Sequence, residues 1–145
     1  MKKIIFLSLF FFIAIGTANA QPKKPKSIIS TGAAMKKFHE KNELDVMKKG
    51  ELLELYVERI KVLINTLPYI ALTTKAGVTM DDVGVPNTPD NLKALDVQAQ
   101  NTKTFLESTV AFQKTMMPYS DKGNIIASIL YYEEMLKALQ QLEQQ

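Results

Sequence analysis

The amino-acid sequence predicts an all-α fold, an antiparallel bundle of about four helices with a kinked second helix and an ordered loop between helices 2 and 3. Three observations lead there. Apolar residues recur at alternating steps of 3 and 4, Pro68 interrupts the first long run of them, and "KAGVTMDDVGVPNTPDN" at 75–91 separates that run from the next. Such steps gather side chains on one helix face, and no useful length of chain shows the period of two that a strand requires. A helix with a single apolar face cannot remain folded alone in water, and short connections reverse direction between neighbours, so the helices must bundle.

The first 20 residues, "MKKIIFLSLFFFIAIGTANA", place Lys2 and Lys3 before an apolar run from Ile4 to Ile15 and a small-residue site at Ala18–Ala20. That is the layout of a signal peptide, and the run is shorter than the roughly 18 apolar residues of a membrane anchor. Cleavage after Ala20 leaves 125 of the 145 residues, the length of one domain, with no transmembrane anchor. The chain has no cysteine, which excludes disulfides and lipoprotein attachment, so packing alone must hold the fold. Residues 21–29, "QPKKPKSII", read as a flexible basic leader, and residues 30–145 as a single helical-bundle domain.

Within that domain, Ser30 to Asn42 is helical in composition and predicts a first helix. A second is expected to run through Gly50 to about Thr74, because Leu53, Tyr56, Ile60, Leu63, Leu67 and Ile70 follow steps of 3, 4, 3, 4 and 3. Pro68 lacks the N–H of the helical ladder and should kink it. The third helix starts at "TPDNLKAL", where Thr88 caps the free N–H groups, Pro89 takes the first helical position and Asp90 faces the positive dipole end. Its expected inward stripe is Leu92, Leu95, Ala99, Thr102, Leu106, Thr109, Gln113 and Met116, with Phe105 and Phe112 as core anchors, ending at Pro118. The last helix carries Ile125, Ile129, Tyr132, Leu136 and Leu139 at steps of 4, 3, 4 and 3. At roughly 1.5 Å per residue the long helices reach about 35 to 45 Å, which predicts a rod.

The segment between helices 2 and 3 is not slack chain. Thr79 and Asp82 have the spacing of a capping pair, Gly84 fits a left-handed stop and Pro86 blocks continuation. One short turn cannot bury Met80, Val83 and Val85 by itself, so they either plug the bundle end or dock a partner.

Several chemistries are excluded by composition. Residues 27–145 carry a net charge of −2 with one arginine, Arg59, so the electrostatic footprint of a nucleic-acid binder is missing. Asp81, Asp82 and Asp90 do not follow the calcium-loop pattern, and the single histidine, His39, cannot supply two Glu-x-x-His pairs for a di-iron site. Haem attachment needs cysteines. His39 lies in "MKKFHEKN", which reads as helix surface, and Glu133 and Glu134 diverge by about 100° on a helix, so neither forms an acid–base pair. No catalytic, metal or cofactor residues are assigned.

The expectation is an exported non-catalytic protein, a protein-interaction or structural module of the bacterial cell envelope or exterior, with Met80, Val83, Val85 and Pro86 as the candidate partner-binding loop. The partner would be an envelope or extracellular protein, and a homodimer completing the bundle is also allowed. The alternative is a carrier of a small apolar ligand lined by Pro68, Tyr69, Phe105, Phe112 and Tyr132.

Overall fold

A computed structural model describes residues 25–142, so the signal-peptide reading lies outside the described residues. Four helices follow in order: α1 (Lys41–Val46), α2 (Lys49–Thr66), α3 (Pro89–Met116) and α4 (Lys122–Leu142). Among the described residues there is no strand, and the all-α bundle expected from apolar spacing is the fold observed.

α2 occupies the centre. It buries Leu52, Val57, Arg59, Ile60, Val62, Leu63 and Thr66; of the expected stripe Ile60 and Leu63 are among them, Leu53 and Tyr56 are half-buried, and Leu67 and Ile70, beyond the end of the α-helix, are exposed. On one side lies α4, with Leu52 packed among Ile125, Ile126 and Ile129, and Val62 and Leu63 against Leu136. These contacts advance together along both helices, so α2 and α4 run parallel. α3 returns antiparallel on the other side of α2. Lysines fasten the ends: Lys49 Nζ donates to the Pro118 carbonyl at 2.6 Å, and Lys122 Nζ to the Asp45 carbonyl at 2.7 Å.

The helix ends follow local chemistry. The α2 amide ladder stops at Thr66, and the chain tightens into a 3₁₀ turn at Leu67–Tyr69 around Pro68. The bend at Pro68 is as expected, but the α-helix does not resume towards Thr74. α3 ends the same way, in a 3₁₀ turn at Met117–Tyr119 around Pro118. Its start is as read: Thr88 Oγ1 accepts from the Asn91 amide at 3.2 Å, with Pro89 first. Gly50 falls in the first turn of α2, where it weakens no helix interior.

The first helix expected at Ser30–Asn42 is not formed. A 3₁₀ turn at Thr31–Ala33 is followed by extended chain to Glu40 and then the six-residue α1. The physical reason is tertiary: the Lys37 carbonyl accepts from Arg59 and the His39 amide donates to Glu133, so these backbone groups have partners outside any helical ladder. The leader reading is corrected for residues 27–29. Ile28 and Ile29 are buried, and the segment pairs with the loop through Ile28 N to Val78 O at 2.8 Å and Gly77 N to Ile29 O at 2.9 Å. Two adjacent β-branched apolar residues gain more by burial than by solvation. Gly77 makes the pairing feasible, since its φ of 90° is left-handed and a Cβ would come within 3.3 Å of the Thr31 methyl.

The loop itself is built as its sequence implies. Asp82 accepts from the Thr79 amide at 2.8 Å and hydroxyl at 2.7 Å, bonds that hold its carboxyl below the usual carboxylate range, the amide first. A 3₁₀ turn at Asp81–Val83 then stops at Gly84, whose φ is 73°. Met80 is buried with Ile28, Ile29, Ala33, Tyr69 and Leu95, and Val83 and Val85 pack half-buried against that cluster. The loop therefore closes the end of the bundle.

Placing a carboxylate at half-buried apolar positions without partners costs about 1–3 kcal/mol each. The Val83→Asp/Val85→Asp variant is accordingly expected to lose stability in urea and melt earlier than wild type. An unchanged transition midpoint would show that the loop is not a plug.

Candidate functional site

Two features stand out, one buried and one exposed. The buried one gathers His39, Arg59 and Glu133 from the extended segment, α2 and α4. Arg59 and Glu133 are each 1% exposed and His39 9%. Arg59 donates to Glu133 Oε1 from Nε at 3.0 Å and from Nη2 at 2.6 Å, while the His39 amide donates to Oε2 at 2.6 Å. Arg59 Nη2 also reaches the Lys37 carbonyl at 2.9 Å, and Nη1 reaches Glu58 at 3.2 Å. His39 Nδ1 lies 2.9 Å from Nη2 and 3.2 Å from Glu133 Oε1: with the ring proton on Nε2 it accepts from the guanidinium, and with the proton on Nδ1 it donates to the carboxylate.

Beside this network Tyr56 and Tyr132 meet with ring centroids 5.4 Å apart and hydroxyls 3.4 Å apart. Burial, and then the hydrogen bond to Tyr132, push the Tyr56 phenol up to about 12, so it remains neutral across the physiological range. The network closes on itself: the carboxylate oxygens are engaged by Arg59 and a backbone amide, and a solute cannot touch groups buried to this degree. Its chemistry is that of fastening three chain segments. The reading of His39 as a surface residue is corrected: it is drawn inward by Arg59 and Glu133. Among the described residues, no group of three His, Asp or Glu side chains is placed to hold a metal ion.

The exposed feature belongs to α3. Of its 28 residues only Leu95, Thr102 and Gln113 are buried, and only Leu95 joins an apolar core cluster. Phe105 and Phe112 are 53% and 65% exposed, so they are not core anchors. Each directly precedes a residue that turns inward, Leu106 or Gln113, and one residue along a helix rotates the side chain by about 100°. The charges reveal the pattern. Lys93, Asp96, Lys103, Glu107 and Lys114 follow steps of 3, 7, 4 and 7 along one side. The opposite side, with Val97, Asn101, Phe105, Ser108, Phe112 and Met116, is exposed and carries no charge from Val97 onward; Asp90, a heptad before Val97, shares it in the first turn.

The flank of α3 nearer its charges forms a cleft with α2. This cleft holds about 500 Å³ between Ala99, Leu106 and Val110 on one wall and Asn65 on the other, with Lys61, Lys103 and Lys114 around it. Lys103 lies 3.9 Å from Glu107, while Lys61 and Lys114 have no carboxylate in ion-pair range among the described residues.

The residues singled out from sequence do not assemble as one site. Met80 is core, Val83 and Val85 are half-buried and Pro86 is exposed. Pro68 is exposed, Tyr69 is buried beside Met80 and Leu95, and Tyr132 lies with Val62, Leu63 and Leu136 in a separate cluster. Phe105 and Phe112 lie outside both.

Removing one partner of the buried pair strands the other charge, at a cost of about 3–5 kcal/mol. Glu133→Leu should show a loss of that order in urea unfolding, whereas Arg59→Met combined with Glu133→Leu should recover much of it. Additive losses in the double variant would show that the pair is not coupled. Comparison of the chain with protein-family models, with curated proteins and with solved structures gives no match.

Proposed function

We propose that this protein is an exported, non-catalytic interaction module that works through the charge-free outer face of α3. The observation supporting it is the exposure of Phe105, Phe112 and Met116 on a face where a helix bathed in water would carry charge. Val97 extends the same face towards the N-terminus of α3. The loop around Val83–Pro86 is given to closing the bundle, so binding is assigned to the helix instead. Export rests on the N-terminal layout of Lys2 to Ala20.

The test is a photoreactive side chain placed in living cells at Phe112, and separately at Lys103 on the charged side. Adducts are expected at position 112 and not at 103, on protein whose intact mass begins at Gln21. Equal labelling at both positions, or none at 112, would remove the helix face from consideration. Full-length protein retained in the cytoplasm would remove export.

A second reading, carriage of a small apolar ligand, is favoured by the α2–α3 cleft rather than by the dispersed aromatics. Its apolar wall and the unpaired Lys61 and Lys114 suit a molecule with a hydrocarbon tail and an anionic head. A long-chain carboxylate should raise the melting temperature of the wild type and not of Lys61→Glu/Lys114→Glu. No shift for the wild type would count against a carrier.

A further inference from the structure

The closed end of the bundle holds a pocket of about 240 Å³, apart from the α2–α3 cleft and from the outer face of α3. Its walls come from separate segments: Ile28 from the N-terminal extended chain, Tyr69 from the turn after α2, Met80 and Val85 from the loop, and Leu95 and Gln98 from the start of α3. Tyr69 is 8% exposed, and a tyrosine so buried normally gives its hydroxyl a partner. Among the described residues this hydroxyl has none. Burial alone raises its phenol above the ordinary value, with no hydrogen bond contributing, so the proton stays in place at neutral pH. Nor is the oxygen sealed, since among the described residues Gln113 Oε1 is the side-chain atom that is both unpartnered and closed off from outside. The Tyr69 donor is therefore open to whatever occupies the pocket it lines.

The other polar side chains of the pocket are already held. Asn91 Nδ2 donates to the Pro86 carbonyl at 2.8 Å, and Gln98 Nε2 donates to the Thr102 hydroxyl at 3.3 Å. Tyr69 is thus the donor left to spend. None of the lining residues carries a charge, whereas lysines surround the α2–α3 cleft. An ion entering the pocket would shed its hydration with no countercharge to replace it, which disfavours anions and cations alike.

Size narrows the class further. A dry apolar cavity of about 150 Å³ is enough for benzene, so this pocket takes one ring with a short substituent. A wholly apolar occupant would cut the Tyr69 donor off from water and leave it unpaired, which costs more than the bond itself is worth when made. We propose that the pocket is a binding site for a neutral, single-ring molecule with one oxygen acceptor, which receives the hydrogen bond of the Tyr69 hydroxyl. Such an occupant touches Ile28, Met80 and Leu95, members of one core cluster, and so steadies the end of the bundle at which α3 begins.

The probe is acetophenone, a ring with one carbonyl, titrated into protein recovered from expression of the complete chain while amide resonances are followed by NMR. Saturable shifts are expected at Ile28, Met80, Ala94 and Gln98, with a higher melting temperature. Tyr69→Phe keeps the ring and removes only the donor, so it should leave the urea midpoint unchanged and weaken binding by roughly fivefold. Ala94→Phe, at an exposed position on the pocket rim, should abolish the shifts with an unchanged circular-dichroism spectrum. Benzoate, of similar size but charged, should leave those amides unshifted. No saturable shift with acetophenone, equal affinity in Tyr69→Phe, or undiminished shifts in Ala94→Phe overturns the site. So does a destabilised Tyr69→Phe, which would show that the hydroxyl has a partner within the protein. Benzoate binding at the same amides as tightly as acetophenone overturns the neutral class.

Discussion

The fold depends on one buried ion pair. Arg59 and Glu133 meet at 2.6 Å in the middle of the contact between α2 and α4, and the spare donors of Arg59 reach back to the Lys37 carbonyl. Three segments distant in sequence are thereby tied at a single height in the molecule. The apolar clusters on either side, around Leu52 and Ile129 and around Leu63 and Leu136, set the distance between the helices. Hydrophobic contact is tolerant of sliding, but a charge that finds its partner at only one register is not. We attribute the alignment of α2 with α4 to this pair, with apolar burial supplying the bulk of the attraction.

What was legible in the sequence was local. Thr88 and Pro89 at the start of α3, Thr79 and Asp82 in the loop, Gly84 at its stop and Pro68 and Pro118 at helix ends act through neighbours a few residues away, so their spacing reports them. What was not legible depends on partners far along the chain. Residues 34–40 have helix-forming composition, yet the Lys37 carbonyl is taken by Arg59 and the His39 amide by Glu133. Ile28 and Ile29 follow a lysine-rich stretch and look like its continuation until Gly77 and Val78 are brought beside them. Phe105 and Phe112 are a different case: charges lie on the opposite side of α3, which is the pattern of a buried stripe, and only the tertiary packing, which covers α3 along the line of Leu95, Thr102 and Gln113, leaves both rings exposed.

α3 is consequently an unusual member of the bundle. Its long neighbours α2 and α4 share the main core, whereas α3 rests on α2 through a narrow line that includes Thr102 and Gln113. A helix so lightly held contributes little to the global stability per residue and opens at lower free energy than the elements it crosses. The candidate surfaces, the cleft with α2 and the charge-free face, both lie on this element. Function assigned to α3 can therefore vary with modest cost to the core, because the core is built elsewhere.

The parallel pairing of α2 with α4 also governs when the chain can fold. The ends of the Arg59–Glu133 contact are 74 residues apart, and closing so long a loop must precede any reward from the contact. A chain emerging N-terminus first carries Arg59 into solvent well before Glu133 follows. Until α4 is complete, α2 has no partner for its most buried face, and the closed end around Met80 adjoins a core that is still missing. The topology thus postpones cooperative folding to the last helix and keeps the chain threadable until nearly all of it has been delivered.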